Sequence, residues 1–352
     1  MPAEWEPHAA TWLAWPHNRS DWPGKFQPIP WVYAEIVRHL SRNERVEIIV
    51  GNNLVEENAR KVLQTAGASL EKVRFHRWAT DRVWTRDYGP IFVREQTAED
   101  RIAATVWRFN AWAKYSDWQN DATVATRIAC QLRVPEVRPS LNAAEGPRQI
   151  VLEGGSIDVN GQGTLLTTEE CLLSSVQQRN PGVGREQLEK LFSEYLGIKK
   201  VIWLGRGIVG DDTHGHVDDI ARFVAPDTVV AAVELNSSDP NYAPLQQNRQ
   251  RLKSSTDQRG QRLQVVDLPM PGPVSFRGRR LPASYANFYI ADNLVLVPTF
   301  NDKNDRLALN ILSDLFPDRG VVGIYCGDLI WGFGAIHCLT QQQPAAAQTN
   351  KA

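Results

Sequence analysis

Alternating and helical hydrophobic patterns follow one another in a fixed order along most of this 352-residue chain. The clearest copy runs from SIDV and TLLTT, which flank the turn NGQG, through REQLEKLFSEYLG to KKVIWL. Alternation on both sides of a Gly/Asn turn predicts a β-hairpin. Leu188, Leu191 and Leu196 have the spacing of one helix face, and Gly197 is a helix-end signal. The segment therefore predicts a strand–strand–helix–strand unit.

Four other segments have the same order of elements. They contain, in chain order, AATWLAW, WVYAEIVRHL and VEIIV; WTRDYGPIFV, AATVWRF, DATVATRIACQL and a weak run around Val137; HVDDIARFV, VVAAVEL, a helix from about Asn241 to Leu252 and LQVVDL; and ASYANFYI, LVLVPTF, DRLALNILSDLF and VVGIYC. The first of these lacks one strand, which we expect the C-terminal segment IHCLT to supply.

The repeat predicts an α/β fold in which five ββαβ units close into a ring. A period of about 65 residues is longer than that of the common solenoids. A closed ring leaves no free sheet edge, much as a propeller does. An open α/β sheet is the alternative. We expect one catalytic domain over residues 1–345 and a frayed tail over 346–352.

Charge and cysteine content narrow the function classes. Lys and Arg number 39 against 40 Asp and Glu, so no basic excess favours nucleic acid or an anionic membrane. The N-terminus lacks the features of a signal peptide, and no apolar stretch has the length of a membrane span. None of the four cysteines forms a CxxC pair, so neither a zinc site nor a disulfide framework is indicated. A reducing, cytoplasmic location fits this cysteine usage.

Four polar clusters occur at the starts of predicted hairpins. They are WTRDYGP with Asp87, LEGGSID with Glu153, DDTHGHVDD with His216 and Asp218, and AIHCLTQQQP with Cys338. Strand starts on one side of a ring converge on its axis. We therefore expect these side chains to form one site.

Cys338 is a candidate nucleophile with a simple alternative. It lies between apolar residues, as a buried inert cysteine does. A reactive thiolate needs cationic or hydrogen-bond support. His337 adjoins it, but successive strand residues point to opposite faces. His216 is therefore the expected partner of Cys338.

The other clusters also allow more than one interpretation. If DDTHGHVDD is a strand, His214, His216 and Asp218 share one face. Such a face suits a metal-dependent hydrolase, although another ligand would be needed from elsewhere; a solvated acidic loop is the plain alternative. Asp87 precedes a Gly-Pro turn and is also typical of a turn former. Glu153 precedes two glycines, which permit close backbone approach.

Together these motifs resemble the agmatine deiminase family, which is grouped with the Porphyromonas-type peptidylarginine deiminases. The matching segments include PAEWEPHAATWLAWP, VWTRDYGPIFV, LEGGSIDVNGQGTLLTTEECLL, GDDTHGHVDDIARF and IHCLTQQQP. The resemblance implies the pentein α/β-propeller fold. It also implies that Cys338 is the nucleophile, that His216 is the general acid and base, that Asp87 and Asp218 hold the guanidinium, and that Glu153 orients His216.

Members of this family hydrolyse a guanidinium to a ureido group and release ammonia. For agmatine the product is N-carbamoylputrescine, a polyamine precursor. The resemblance implies a small cationic guanidinium substrate, no metal or organic cofactor, and a homodimer. A deiminase of peptidyl-arginine or another arginine derivative is the nearest alternative, and a non-catalytic protein of the same fold is a further one.

The distal end of an agmatine-sized substrate carries an ammonium group. Asp211 and Asp212 are candidate partners for it, and Trp84 or Trp112 could supply an aromatic wall. One segment departs from the family pattern: the chain has Gly-Phe-Gly-Ala at 332–335, where relatives usually have Gly-Gly-Gly-Asn. This change, which introduces Phe333, bears on loop closure and substrate selection.

Overall fold

The structure is a computed structural model that describes residues 1–95, 101–143 and 146–346. Except for Ala346, the predicted tail over 346–352 lies outside the described residues. Strands and helices alternate along the chain, as the sequence pattern predicts. No helix in the described part is both long and apolar enough to cross a membrane.

The strands are named in chain order. They are β1 (His8–Ala14), β2 (Val46–Val50), β3 (Val73–Arg77), β4 (Ile91–Arg94), β5 (Ile102–Thr105), β6 (Glu136–Val137), β7 (Ser140–Ala143), β8 (Gly146–Gln149), β9 (Asp158–Val159), β10 (Thr164–Thr168), β11 (Lys200–Leu204), β12 (Ala221–Ala225), β13 (Thr228–Val233), β14 (Gln264–Pro269), β15 (Ser275–Phe276), β16 (Arg279–Arg280), β17 (Tyr289–Ala291), β18 (Leu294–Thr299), β19 (Gly320–Tyr325) and β20 (Gln341–Pro344).

The helices are named in the same way. They are α1 (Ile29–Asn43), α2 (Asn53–Thr65), α3 (Thr85–Tyr88), α4 (Val124–Leu132), α5 (Glu169–Leu173), α6 (Arg185–Leu196), α7 (Tyr242–Ser254) and α8 (Asp305–Leu315). Short 3₁₀ turns cover Leu70–Lys72, Ala111–Ala113, Asp121–Thr123, Gly154–Ser156, Val217–Asp219 and Leu329–Gly332.

Five sheets share one topology, which confirms the predicted repeat. In each, a central strand pairs antiparallel with one neighbour and parallel with the other; the central strands are β1, β5, β10, β13 and β18. A parallel pair requires a crossover, and α1, α4, α6, α7 and α8 lie between the strands concerned. The first sheet is extended by β3, which pairs with β2 and was not predicted.

Apolar side chains from neighbouring units share the same cores. One cluster combines Trp107 of the second unit with Leu165 and Phe192 of the third. Another combines Leu166 of the third unit with Val229 of the fourth. The largest cluster contains residues of the first, second, fourth and fifth units. Because β20 also pairs with β1, the two ends of the chain meet in one sheet. The mixed α/β class is confirmed, and complete closure of the ring stays a prediction.

The predicted strand IHCLT is wrong in its position. Residues 336–339 form a turn, and the strand that completes the first unit is β20, immediately after it. Local hydrogen bonds stabilise the turn, because the Thr340 hydroxyl donates to the carbonyls of Ile336 and His337. Strand alternation therefore cannot separate His337 from Cys338. The two side chains nevertheless make different contacts, as described below.

The other polar clusters also lie on helical turns that precede the first strand of their unit. Asp87 lies in α3, Glu153 caps the turn Gly154–Ser156, and Asp218 lies in the turn Val217–Asp219. The expected single face of His214, His216 and Asp218 is wrong. His214 and Gly215 have φ values of 64° and 95°, which reverse the chain, and His214 contacts Ser174 instead.

Candidate active site

A cavity of about 370 Å³ opens beside the turns that carry the polar clusters. Cys338 and Asp87 lie on its wall, and both are nearly inaccessible to solvent. Trp84 and Trp112 also line it, and their role as an aromatic wall for the substrate stays a prediction. Aromatic and charged side chains thus share the wall of the cavity, and a concave site with convergent polar groups is typical of a small-molecule site.

Gly155 shows how tightly the polar groups converge. A Cβ atom at this glycine would lie 2.6 Å from His216 Nδ1, 2.9 Å from Asp87 Oδ1 and 3.0 Å from Asp218 Oδ2. Side chains from the second and fourth units therefore meet around a residue of the third unit, at a position that only glycine can occupy. The convergence predicted from the hairpin starts is present in the structure.

Asp87 is positioned by two donors. The Trp112 indole nitrogen donates to Oδ2 at 2.9 Å, and the Gly155 backbone N–H donates to Oδ1 at 3.1 Å. Burial raises the pKa of Asp87 to about 6, although His216 opposes that shift. At neutral pH the carboxylate is therefore ionised and available to a cation in the cavity.

His216 lies between carboxylates. Its Nδ1 is 3.8 Å from Asp87 Oδ1, and its Nε2 is 3.7 Å from Glu153 Oε2. Burial disfavours the imidazolium, but Asp87, the neighbouring Cys171 and Glu153 raise the pKa of His216 well above its usual value. These neighbours therefore favour the protonated ring, which is the form that a proton donor needs.

Glu153 is held by a buried arginine. Arg179 Nε donates to Glu153 Oε1 at 3.1 Å, and both side chains are completely buried. Burial alone would raise the pKa of Glu153, but Arg179 and His216 outweigh burial and hold the pKa at about 2. Glu153 is thus a fixed negative charge beside His216.

Asp218 lies next to Cys338. Its Oδ2 is 3.7 Å from the Cys338 sulfur and accepts a 2.6 Å hydrogen bond from His337 Nδ1. Burial opposes ionisation of Asp218, but His337 and His216 keep its pKa below the usual value. The other oxygen, Oδ1, is buried and has no hydrogen-bond partner among the described residues.

Cys338 contacts a residue that the sequence analysis did not select. Asn287 Nδ2 lies 3.1 Å from the sulfur. Burial and the nearby carboxylates, chiefly Asp218 and Asp219, raise the pKa of the thiol well above its usual value. Free Cys338 is therefore a thiol, and attack requires a change in its surroundings, such as the arrival of a cation.

A buried ionic network lies next to these groups. We call it the Glu4 network, and it comprises Glu4, Arg86, Asp158, Arg222 and His337. Glu4 accepts hydrogen bonds from Arg86, Arg222 and His337 at 2.8–3.1 Å. Arg222 also donates to Asp158 at 2.5 Å. Both ring nitrogens of His337 face carboxylates, so the network extends directly to Asp218.

The two acidic candidates for the distal end of the substrate are placed differently. Asp212 lines the cavity, but it is already paired with Lys114 at 2.6 Å and Arg279 at 3.0 Å. Asp211 does not line the cavity. Its carboxylate accepts the backbone N–H groups of Gly215 and His216 and so fixes the loop that carries His216.

The departure at 332–335 lies at the same cavity. Phe333 lines it with φ of 69°, a conformation that favours glycine, and the Arg279 guanidinium stacks over the ring at 4.0 Å. Gly334 packs against Trp84, where a Cβ would lie 2.5 Å from the indole. The segment therefore shapes the cavity directly.

Three groups of potential metal ligands occur among the described residues. They are Glu153–Cys171–His216, Asp218–Asp219–Cys338 and His8–Glu44–Asp292. The first two overlap the cavity groups, but in each a carboxylate already accepts a hydrogen bond, since Arg179 Nε donates to Glu153 and His337 Nδ1 donates to Asp218. These donor sets fit a cationic substrate better than a divalent metal.

Some functional side chains left little signal in the sequence. Asn287 could have been found, because it precedes β17 by two residues, just as Asp218 and Asp219 precede β12. The pseudo-repeat therefore marks its position. Arg179 follows α5 in an irregular segment, and no pattern there indicates its contact with Glu153.

The chain is similar to known proteins over nearly its whole length. The family described as Porphyromonas-type peptidyl-arginine deiminase matches residues 1–344. An agmatine deiminase of Medicago truncatula is 38% identical over 98% of this chain and 96% of its own. The structure of an agmatine deiminase of Enterococcus faecalis has a TM-score of 0.88 at 33% identity, with 99% and 96% coverage. That of an agmatine deiminase of C. jejuni with substrate bound has a TM-score of 0.85 at 30% identity, again with 99% and 96% coverage.

Proposed function

The chain belongs to the Porphyromonas-type peptidyl-arginine deiminase family, and we propose from this that it hydrolyses agmatine to N-carbamoylputrescine and ammonia. The observation that carries the proposal is the cavity with Cys338 and Asp87 on its wall and with His216 and Asp218 packed behind Gly155. The agmatine deiminases among its relatives match nearly the whole chain.

Asp87 and Asp218 bind the guanidinium in this proposal. A guanidinium carbon is a weak electrophile because resonance spreads the positive charge over three nitrogens. Two carboxylates that each accept N–H groups fix its plane, and charge-assisted hydrogen bonds of this kind are strong. The unpartnered Asp218 Oδ1 supports this role, since a buried acceptor without a partner is costly until a ligand donates to it.

Cys338 then attacks the guanidinium carbon. The bound cation offsets the carboxylates that disfavour the thiolate, so substrate binding itself promotes ionisation of the thiol. The thiol proton leaves to solvent, the thiolate forms the C–S bond, and the product is a neutral tetrahedral adduct. The His216 imidazolium donates its proton to one amino nitrogen, and the C–N bond breaks to release ammonia. A cationic S-alkylthiouronium remains on Cys338.

Water completes the reaction on the same face. Neutral His216 takes a proton from the attacking water, the new C–O bond forms, and the C–S bond breaks to release the ureido product. Of the two protons set free in this step, one stays on His216 and the other returns to the sulfur or to solvent. Glu153 stabilises the imidazolium whenever His216 is protonated. General acid–base catalysis of this kind contributes about 10²–10⁴-fold.

Peptidyl-arginine hydrolysis is the second candidate. It is favoured by the surroundings of Asp212, because Lys114 and Arg279 already neutralise this carboxylate. For Asp212 to accept the ammonium of agmatine, it must exchange one of these partners. The chemistry at Cys338 is the same for both substrates.

A cytoplasmic location and a homodimer also belong to the proposal. All four cysteines are free in the structure, which is typical of proteins of a reducing compartment. Dimerisation rests on the family resemblance alone.

The test is product formation from agmatine, arginine and a blocked peptidyl-arginine, each with and without a chelator. Wild-type protein is compared with Cys338→Ser. We expect ureido product from agmatine and its loss in the variant. Activity on the blocked peptide alone would replace agmatine by the second candidate. Activity that disappears with chelator would instead support a metal-dependent hydrolase.

A further inference from the structure

We propose that the side-chain amide of Asn287 is a further catalytic group, which donates a hydrogen bond to the Cys338 sulfur and stabilises the thiolate that attacks the substrate. The inference rests on the proposed function for the reaction. Its geometry, however, concerns the nucleophile alone and does not depend on which guanidinium compound binds.

The orientation of the amide is fixed by its other contacts. Asn287 Oδ1 accepts the backbone N–H groups of His337 at 3.0 Å and Cys338 at 3.3 Å. Nδ2 donates to Asp219 Oδ1 at 2.9 Å. If the amide were flipped, its NH₂ group would face the N–H groups of His337 and Cys338, and donors would face donors. The hydrogen-bond network therefore determines which amide atom is oxygen and which is nitrogen. The second hydrogen of Nδ2 remains for the sulfur, 3.1 Å away.

The surroundings of the sulfur make this donor important. Cys338 faces the Asp218 carboxylate at 3.7 Å, and burial and nearby carboxylates raise the pKa of its thiol. Asn287 opposes that rise. Because Asn287 is completely buried, water cannot replace its N–H group when the side chain is shortened. A neutral donor also stabilises sulfur without competing with the guanidinium for the carboxylates.

The same side chain fixes the turn that carries the nucleophile. The His337 N–H also donates to the Asn287 backbone carbonyl at 3.1 Å. The fifth unit therefore holds the turn at 336–339 through both backbone and side chain. Since Asn287 precedes β17 as the other polar clusters precede their strands, all five units contribute to one site.

The test measures alkylation of Cys338 by iodoacetamide as a function of pH, followed by mass spectrometry of the peptide that contains Cys338. Below the pKa of the thiol, the rate is proportional to the thiolate fraction. We expect Asn287→Ala to be alkylated about tenfold more slowly than wild type at pH 8, because a hydrogen bond to a charged group is lost. We expect kcat on agmatine to fall about 10- to 100-fold, with a smaller change in KM.

Asn160→Ala is the matched control. Asn160 is equally buried, its oxygen also accepts two backbone N–H groups, and its amide nitrogen also donates. It does not line the cavity. We expect it to lower the melting temperature without changing the alkylation profile. An equal change in both variants would reduce Asn287 to a structural role.

Asn287→Asp removes the hydrogen-bond donor to Cys338 but keeps the acceptor that holds the turn at 336–339. The aspartate keeps an oxygen for the two backbone N–H groups but removes the N–H that faces the sulfur. We expect slower alkylation than in wild type. Because the new carboxylate also disfavours the thiolate, slower alkylation here does not by itself identify the donor, but unchanged alkylation overturns the proposal even if Asn287→Ala does not fold. Unchanged alkylation in a folded Asn287 variant would overturn the proposal. Because alkylation needs no substrate, this outcome is distinct from absence of agmatine hydrolysis, which would count against the proposed function.

Discussion

Two buried clusters of charge lie side by side in this molecule and are organised in opposite ways. In the Glu4 network, Glu4, Arg222 and Asp158 form hydrogen bonds of 2.5–2.9 Å to one another or to backbone groups. Around the cavity, His216 is 3.7–3.8 Å from its carboxylates, and neither of its ring nitrogens has a hydrogen-bond partner among the described residues.

The number of hydrogen-bond partners distinguishes charged groups that stabilise the fold from polar groups that are available to bind a ligand. A buried charge with a complete set of partners is structurally fixed, whereas a buried polar atom without one has an energetic cost that a substrate can remove. Glu4 is contacted by Arg86, Arg222 and the backbone of Ile290, which belong to three different units. The network thus connects units of the fold to one another. The turns of these units carry the polar groups of the cavity.

The largest effect is expected when the Glu4 network is broken. Arg222→Met leaves Glu4 and Asp158 without their shared cation. We expect the free energy of unfolding to fall by about 3–5 kcal/mol, as for other buried pairs that lose one partner. Chemical denaturation measures this change.

Arg249→Met is the control for that variant. Arg249 forms an exposed pair with Asp267, for which a loss of about 0–1 kcal/mol is expected. Similar losses in the two variants would contradict a special role for the network in joining the units.

A smaller effect is expected at the cavity, in the pH dependence of activity. Trp112→Phe removes the N–H that stabilises the ionised Asp87. Loss of that donor raises the pKa of Asp87 further above its present value of about 6. Since the carboxylate must be ionised to bind a guanidinium, the acidic limb of kcat/KM moves to higher pH. We expect kcat/KM at pH 6 to fall about tenfold, with a much smaller change at pH 8.

Trp107→Phe provides the comparison, because this buried indole donates to Thr105 and does not line the cavity. We expect it to leave the pH profile unchanged. An acidic limb that stays in place in Trp112→Phe would show that Asp87 is not the group that limits activity at low pH.

Hydrophobic periodicity predicted the units well because it reports burial directly. The helix predicted near Gly197 ends there with φ of 70°, and the weak run around Val137 is β6. The turns that carry the polar groups were predicted less well. His214 and Gly215 adopt positive φ, so the alternation that would place His214 beside His216 does not apply.

Tertiary contacts explain what the sequence could not provide at the cavity. Asp211 and Asp212 are adjacent, yet one fixes a loop and the other faces the cavity, which depends on the backbone path and not on residue type. His337 contacts Asp218 because the segment before β20 is a turn. The repeat marks the position of Asn287 before β17, but the sequence does not show its contact with Cys338.

The most direct test of the central claim is rapid quenching of the reaction with agmatine, followed by intact and peptide mass spectrometry. We predict an adduct on Cys338 with the mass of agmatine less ammonia, formed within the first turnover and absent from Cys338→Ser. Ureido product formed without any adduct on Cys338, together with activity in Cys338→Ser, would contradict the thiouronium mechanism and the role of this cysteine.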